Sequence, residues 1–284
     1  MQNLSWQIGN VRIVSVVERV VRLPLNYVLA NFETDRLDQH RHWLAPHFID
    51  SENHYQLTVR ALLVESCGKR IMVDTCLGEH ITPFDDMFGA IPHDFLEHLA
   101  DAGFARETID YVMCTHLHYD HIGWNTMRVD GQWVPTFPNA RYLFARNEWQ
   151  HCQQHDVPEY MNMQNAIAPL FVADQVDLVD TDHRLTAEVS LVPTPGHTPG
   201  HVSVAIDSQG RQAFITGDMA HHPAQWAEPH WNCVSDYDRA GAEQTRRTIR
   251  QQLCANNTLV IGSHFPPPCA GYVAENEQGL YFKV

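Results

Sequence analysis

The arrangement of polar segments directly after short apolar segments is the feature of this 284-residue chain that most constrains its fold. DYVMC is followed by THLHYDH, SLVPT by PGH, QAFIT by GD, and TLVIG by SH. Each apolar segment has the length and composition of a buried β-strand. Side chains just beyond the ends of neighbouring strands leave the sheet at one edge and can meet in a cleft. The sequence therefore predicts a cleft built from four strand ends.

Histidine and aspartate occupy these strand ends, and both are metal-ligating residue types. The candidates are His116, His118, Asp120, His121, His197, Asp218 and His264. Their nitrogen and oxygen atoms suit zinc or its neighbours manganese, iron and cobalt. A histidine-rich polar loop is the alternative, since the chain has 19 histidines, but it leaves Asp218 and His264 unexplained. Seven ligands exceed the needs of one tetrahedral ion, so we expect two divalent metal ions.

The rest of the chain alternates between strand-like and helix-like segments. LTVRALLVES and KRIMVDT predict two strands joined at Cys67–Gly68, and HDFLEHLADAG predicts a helix over 93–103. Asp238 is the expected N-cap of a helix through Leu253, whose Arg246, Arg247 and Arg250 should form a solvated face. This pattern predicts an α/β fold, with two sheets covered by helices in one domain over 1–284. The aromatic-rich segment 1–56 is expected to be an N-terminal extension or cap.

Composition limits the expected partners and compartment. The formal charge of −15 and the scattered basic residues argue against a nucleic-acid partner. No apolar run is long enough to span a bilayer and no secretory signal is visible, so no membrane partner is expected. The seven cysteines contain no CxxC pair and are predicted to be reduced thiols. A cytoplasmic protein is expected.

The combined motifs resemble those of the metallo-β-lactamase superfamily. HxHxDH from His116, the later GHTPGH, the strand-end GD and the late strand-end SH carry this resemblance, which runs from about Leu57 to the C-terminus. It implies an αβ/βα four-layer sandwich of two mixed sheets with helices outside. MVDTC is similar to the family's VDTG strand end, so Asp74 should support a ligand, although Cys76 replaces the glycine.

The same resemblance implies how the ligands are divided, in agreement with their chemistry. One metal would take the three histidines, the other would take the remaining histidines with one aspartate, and a second aspartate would bridge. These sets are His116, His118 and His197; Asp120, His121 and His264; and Asp218 as the bridge. The bridging hydroxide of such a pair would be a nucleophile at neutral pH.

Departures from individual branches of the superfamily narrow the expected function. Zinc β-lactamases lack an aspartate at the position equivalent to Asp218, and flavodiiron proteins have a glutamate at the position equivalent to His118. Glyoxalase II enzymes carry a helical region after the last histidine of the motifs, and nuclease branches add a further domain and a basic face. The quorum-quenching lactonases and methyl parathion hydrolase-like proteins remain. TGDMAHHPAQW is more similar to the latter, because His221 stands where lactonases have a tyrosine.

These observations predict a binuclear metal-dependent hydrolase of a small-molecule ester, foremost a lactone. Asp120 or Asp218 would transfer the proton as the hydroxide attacks the carbonyl carbon. His221 would either donate a hydrogen bond to the oxyanion or fix the GDMAHHP turn. A phosphotriesterase or arylesterase at the same site is the alternative reaction, and a catalytically inactive metal-binding protein is the alternative class. The resemblance is also compatible with a homodimer.

Overall fold

A computed structural model describes residues 3–80, 94–155 and 157–284, which form fifteen β-strands and eight α-helices. The strands are β1 Ser5–Ile8, β2 Val11–Pro24, β3 His54–Ser66, β4 Lys69–Val73, β5 Tyr111–Met113, β6 Thr126–Val129, β7 Gln132–Pro135, β8 Arg141–Ala145, β9 Val176–Val179, β10 Val189–Pro193, β11 Val202–Ser208, β12 Arg211–Ile215, β13 Leu259–Ile261, β14 Ala270–Asn276 and β15 Gly279–Lys283. The helices are α1 Thr34–Leu44, α2 Phe95–Asp101, α3 Tyr119–Ile122, α4 Arg146–Cys152, α5 Met163–Ala166, α6 Ala168–Val172, α7 Ala224–Ala227 and α8 Arg239–Ala255. Short 3-10 turns span Leu25–Tyr27, Arg106–Thr108, Gly123–Asn125, Pro158–Tyr160 and Gly217–Met219. None of the helices in these ranges is long and apolar enough to cross a membrane.

The strands form two mixed sheets and a separate β6–β7 hairpin. The first sheet has the order β1-β2-β3-β4-β5-β8-β9, and the second runs from β10 to β15 in chain order. Strands β4, β5, β8 and β9 are parallel neighbours, as are β12 and β13, whereas the other pairs within the two large sheets are antiparallel. The predicted β3–β4 hairpin is confirmed. A second hairpin, β14–β15, forms the edge of the other sheet.

Alternating side chains bury both faces of each sheet. Leu62 packs into a core shared by the two sheets, which includes Val204 and Ile215 of the second sheet. Leu63, the next residue, points to the opposite face and belongs to the cluster that contains the helix residue Leu99. Because successive strand residues face opposite sides, this pattern requires a layer on each side of the sheet. The predicted αβ/βα sandwich is confirmed.

The predicted helices are present, with their ends set by local hydrogen bonds. Helix α2 covers Phe95–Asp101, and position 93 of the prediction lies outside the described residues. Helix α8 begins after Asp238, whose Oδ1 accepts a hydrogen bond from the backbone N–H of Gly241 at 3.0 Å. This cap satisfies one of the free donors of the first turn. The N-cap prediction is confirmed, and the helix extends two residues beyond Leu253.

Of the segment 1–56, the described part from residue 3 onward contributes to the sheet as well as to the surface near its edge. Strands β1 and β2 belong to the seven-stranded sheet, and β2 pairs with β3 along almost its whole length. Phe48 and Tyr55 are buried in the main core rather than spread over an open surface. Part of this segment, around Tyr27 and Val28, lines a cavity described below.

The expectation that Arg246 lies on a solvated helix face is wrong. Its side chain is fully buried and donates hydrogen bonds to four acceptors, which belong to Met219, Pro229, Asn232 and Asp236. An arginine on the buried face of a helix is stable only where acceptors satisfy the N–H groups of its guanidinium and a carboxylate balances its charge. No local pattern in the sequence indicates these partners, because they all precede Arg246 by ten or more residues.

We expect Arg246→Ala to lower the free energy of unfolding by about 3–5 kcal/mol, because it leaves Asp236 buried without its cation. Arg247→Ala is the control on the same helix. Arg247 is 45% exposed and pairs with Glu243 one turn away, so its loss should cost no more than about 0.5 kcal/mol. Urea unfolding followed by tryptophan fluorescence measures both variants. Equal losses would contradict a structural role specific to Arg246.

Candidate metal centre

The seven candidate ligands lie beyond the carboxyl ends of four strands that reach one edge of the sandwich. The HxHxDH segment follows β5, with His116 and His118 before α3 and Asp120 and His121 within it. The other three residues follow β10, β12 and β13; they are His197, Asp218 and His264. The structure brings these seven side chains from both sheets together, as the strand-end pattern predicts.

The ligating atoms form two groups. In the first, one ring nitrogen from each of His116, His118 and His197 lies within 4.8 Å of the other two, and His118 Nδ1 is 3.0 Å from His197 Nε2. In the second, His121 Nε2 is 3.2 Å from His264 Nε2. Asp120 Oδ2 completes the second group at 3.7 Å and 3.6 Å from these two nitrogens. Each group therefore offers three donor atoms around one point.

The Asp218 carboxylate lies between the two groups. Its Oδ2 is 3.4 Å from His197 Nε2 and 3.8 Å from His116 Nε2. Its Oδ1 is 3.3 Å from His121 Nε2 and 3.0 Å from His264 Nε2. Each carboxylate oxygen thus faces a different group, which is the geometry needed of a residue that bridges two cations.

Unpaired buried atoms show that this donor set suits metal ions. His116 Nε2 and Asp218 Oδ1 are buried without a hydrogen-bond partner. Orphaned polar atoms are rare in protein interiors and indicate a missing ion or water. Two nitrogens bound to one tetrahedral zinc ion lie about 3.3 Å apart, which is close to the separations of 3.0 and 3.2 Å found here. The residues therefore fit two divalent cations.

The electrostatics of the centre set the protonation states of its histidines and of the Asp218 carboxylate. Burial lowers the pKa of His116 and His118 well below the usual histidine value, and the neighbouring imidazoles add to this effect. Burial alone would raise the pKa of Asp218, but His121, His264 and His221 outweigh it and hold that pKa well below the usual range. Burial alone would lower the pKa of His121, but Asp218 and the neighbouring carboxylates outweigh it and raise that pKa, so this ring would release a proton when it binds a metal ion. Neutral imidazoles and an ionised carboxylate are the forms that bind metal.

The outward-facing nitrogens of the histidines are held by further groups. His197 Nδ1 lies 3.0 Å from Asp236 Oδ1, and His121 Nδ1 lies 2.9 Å from Asp74 Oδ2. His264 Nδ1 donates to the carbonyl oxygen of Thr58 at 3.0 Å. Such contacts fix the ring orientation and the tautomer of a ligand. Asp74 was expected in this role, whereas Asp236 lies in a loop that carries no sequence signal for it.

The turn after β4 explains how a cysteine can occupy the position of the expected glycine. Asp74 and Cys76 have φ values of 60° and 58°, in the left-handed region that favours glycine. The turn is held by a hydrogen bond from Thr75 N to the carbonyl oxygen of His121 at 2.8 Å, and by another from Gly123 N to that of Cys76 at 2.8 Å. These bonds tie the turn to the HxHxDH segment, so the strained backbone at Cys76 is fixed by its surroundings.

Glu148 connects the two loops that carry the three-histidine group, a role that the sequence interpretation missed. Its Oε1 accepts a hydrogen bond from Leu117 N at 3.2 Å, and its Oε2 accepts one from Gly200 N at 3.1 Å. Leu117 lies between His116 and His118, and Gly200 lies three residues after His197. Glu148 follows β8, a parallel neighbour of β5, so the strand-end rule could have identified it.

His201 supports Asp218 through a hydrogen bond to its backbone. Its Nε2 accepts a hydrogen bond from the backbone N–H of Asp218 at 2.8 Å, and its Nδ1 lies 2.8 Å from Thr194 Oγ1. Burial, followed by the nearby His197, lowers the pKa of His201 to about 3. The ring is therefore neutral at physiological pH and can accept the hydrogen bond that positions Asp218.

His221 reaches the centre from the loop after Asp218. Its Nε2 lies 3.0 Å from Asp218 Oδ2 and 3.5 Å from Cys233 Sγ. Its ring is parallel to that of His264, with centroids 5.5 Å apart. The turn itself is fixed by Gln225, whose Oε1 accepts hydrogen bonds from the backbone N–H groups of His221 and His222. Gln225 therefore fixes the turn, while the imidazole of His221 contacts Asp218 in the centre.

A cavity of about 370 Å³ opens onto the centre. Its lining includes Asp120, Asp218 and His221, together with apolar side chains contributed by the N-terminal segment and by later loops. The apolar and aromatic lining residues are Leu23, Tyr27, Val28, Leu57, Tyr119 and Val234. Polar groups at one end of an apolar cavity are typical of a small-molecule site.

We expect Glu148→Gln to weaken metal binding by about 10- to 100-fold, because an amide nitrogen would replace one acceptor facing Leu117 N or Gly200 N. Metal affinity is measured by competition with a chromophoric chelator. Glu97→Gln, at an exposed position on α2, is the control and should leave the affinity unchanged. Unchanged affinity in Glu148→Gln would show that the two loops hold their positions without the carboxylate.

Comparison with known proteins relates this geometry to a family. Residues 55–264 match the metallo-beta-lactamase superfamily. An N-acyl homoserine lactonase of Bacillus cereus is 27% identical over 169 residues, which are 55% of this chain and 61% of that protein. The N-acyl homoserine lactonase AttM of Rhizobium radiobacter is 25% identical over 183 residues, 60% of this chain and 63% of that protein. The chain thus spans about three fifths of the length of these curated relatives.

Solved structures share the fold over nearly the whole chain. The hydrolase AbOPH of the beta-lactamase superfamily superposes with a TM-score of 0.80 at 23% identity, covering 99% of this chain and 96% of that one. The dizinc quorum-quenching lactonase AidC, solved with a product, has a TM-score of 0.77 at 20% identity and the same coverage. With the matched residues containing all seven strand-end side chains, this chain belongs to the metallo-beta-lactamase superfamily.

Proposed function

We propose that this protein is a binuclear metal-dependent hydrolase of a small uncharged ester, foremost a lactone. The observation that carries the proposal is the Asp218 carboxylate, which faces one ligand group with each oxygen beside an apolar cavity. Curated relatives that are named N-acyl homoserine lactonases support the choice of a lactone. The net charge of −15 further favours an uncharged substrate over an anionic one.

Zinc is the proposed metal. His116, His118 and His197 would hold one ion, Asp120, His121 and His264 the other, and Asp218 would contact both. When bound, two such ions supply an activated water nucleophile and polarise the carbonyl group of an ester. The protein then has three tasks of its own, which are to orient the ester, to stabilise developing charge and to transfer a proton.

Orientation falls to the apolar cavity. Its wall near Leu23, Val28 and Leu57 would hold the hydrocarbon part of the substrate, while the polar groups at the other end receive the ester. The cavity excludes water from the hydrocarbon part, and each buried CH₂ group contributes about 0.8 kcal/mol to binding. An aliphatic substituent should therefore increase affinity for a lactone.

Proton transfer is assigned to Asp120. Its side chain is 16% exposed and lines the cavity, whereas that of Asp218 is 4% exposed and is enclosed by histidines. A carboxylate that borders the cavity can take a proton from the attacking water and deliver it to the leaving alkoxide. Asp218 would instead remain ionised to hold the centre together.

His221 is proposed to stabilise the oxyanion. His221 lines the cavity, and its Nε2 lies 3.0 Å from Asp218 Oδ2. A ring N–H at this nitrogen could donate a hydrogen bond to the carbonyl oxygen of the substrate as negative charge develops on it. A donor that is already positioned costs little reorganisation when the charge develops. The role as a turn-fixing residue is less favoured, because Gln225 performs it.

We expect lactones to be hydrolysed with higher kcat/KM than aryl phosphotriesters by protein that contains two metal ions per chain. The planar lactone carbonyl presents one oxygen, which suits a cleft with ligands on both sides. The test is a substrate panel on protein whose metal content is known from elemental analysis.

Three results of this panel would contradict the proposal in different ways. A tenfold preference for the phosphotriester would favour the alternative reaction. Full activity with at most one tightly bound ion would exclude the binuclear mechanism. A fully metal-loaded protein that hydrolyses none of the substrates would favour the inactive metal-binding protein.

We expect His221→Ala to lower kcat for a lactone by about 10- to 1,000-fold while both metal ions stay bound. His221→Tyr should recover part of the loss, because a phenol can donate the same hydrogen bond. His222→Ala is the neighbouring control, since His222 Nε2 bonds to the carbonyl oxygen of Phe48 away from the centre. Metal loss in His221→Ala would instead indicate a ligand or structural role.

A further inference from the structure

A second cavity, of about 230 Å³, adjoins the first at the three-histidine side of the centre. The two cavities share His118, Glu159, His197, Val234 and Ser235. A molecule whose reacting group lies at His118 and His197 could therefore extend in two directions. Neither metal binding nor the proposed oxyanion donor, His221, requires the second cavity.

Rings form the wall of the second cavity. His151 and His155 are stacked, with centroids 3.9 Å apart and an angle of 26° between the ring planes. Tyr237 meets His151 edge-on at 4.7 Å, and Tyr160 meets it at 5.8 Å. Flat groups gain most from such a wall, because they can stack on a ring face or meet it with an edge. The first cavity has two tyrosines in its lining, but its remaining apolar wall is aliphatic and includes Leu23, Val28 and Leu57.

The charges of the second cavity favour a neutral occupant. Among its described lining residues there is no lysine or arginine, and the carboxylates are Glu159 and Asp236. Asp236 is already engaged by His197 at 3.0 Å and by Arg246 at 3.3 Å. Glu159 therefore sets the local field, and an anionic group would be repelled without a cation to balance it.

We propose that the second cavity is a subsite for a flat, uncharged ring on the substrate, while the first cavity takes an aliphatic arm. This inference rests on the proposed ester hydrolysis and adds the substrate class, an ester or lactone that carries an aryl-like substituent. The ring contacts act on binding, so they should change KM rather than kcat.

Two tyrosines provide a matched test. Tyr237 is 61% exposed at the rim of the second cavity, and Tyr27 is 57% exposed at the rim of the first. The experiment compares Tyr237→Ala with Tyr27→Ala on γ-phenyl-γ-butyrolactone and γ-hexyl-γ-butyrolactone, using the full, metal-loaded chain. The two lactones share the reacting ring and differ in the arm. Their exposure makes both tyrosines tolerant of truncation, and elemental analysis verifies the metal content.

We expect Tyr237→Ala to raise KM for the phenyl lactone by about 3- to 10-fold and to leave the hexyl lactone unchanged. Tyr27→Ala should leave the phenyl lactone unchanged. Tyr237→Phe keeps the ring and should behave like the wild type. Equal effects of Tyr237→Ala on both lactones, or no effect on either, would overturn the subsite.

Failure of the proposed function gives a different result. If the wild-type protein hydrolyses neither lactone, binding of the phenyl lactone to the metal-loaded protein is measured by calorimetry. Weaker binding in Tyr237→Ala, with no change in Tyr27→Ala, would still support the subsite. Identical binding by all three proteins, or no binding by the wild type, would overturn it.

Discussion

The interaction on which the rest of the structure depends is the burial of the Asp218 carboxylate among histidines. Four imidazole nitrogens, from His121, His197, His221 and His264, lie within 3.4 Å of its oxygens. An isolated buried charge is costly, so a carboxylate in this position requires cationic or hydrogen-bonding partners. The four histidines follow four strands, β5, β10, β12 and β13, which belong to both sheets. The packing of the two sheets must therefore bring these strand ends to one edge of the sandwich.

Other buried carboxylates continue this arrangement outward. Asp74 and Asp236 hold the outer nitrogens of His121 and His197, and Glu148 joins two ligand loops through their backbone N–H groups. Arg246 balances Asp236 from the long C-terminal helix. Each link is short and buried, so a change in one element is transmitted to a ring nitrogen rather than absorbed by solvent. The centre is therefore a property of the packed layers and not of one loop.

In the proposed function, the ligands at the strand ends carry out the reaction, and the walls of the two cavities select the substrate. The ligand groups and Asp218 are features of the strand ends, and the family match covers them. The cavity walls come from the N-terminal segment around Tyr27 and from loops around His155 and Tyr237. Loops vary more freely than strand ends, because they can change without disturbing the core. Under the proposed function, this chain and relatives at 25–27% identity would share the reaction and differ in the substituents they accept.

The sequence by itself determined the layered α/β fold and brought the seven candidate ligands to one edge, because strand periodicity and strand ends are local features. It also located the Asp238 cap, and the resemblance of MVDTC to a family motif indicated that Asp74 supports a ligand. Only the tertiary structure decided that Arg246 is buried, that Asp236 and Glu148 support the ligands, and that rings of His151, His155 and Tyr237 form one wall. These contacts join residues that are distant along the chain, or depend on which helix face meets the core. Hydrophobic pattern and spacing do not encode such pairings; packing of the completed layers fixes them.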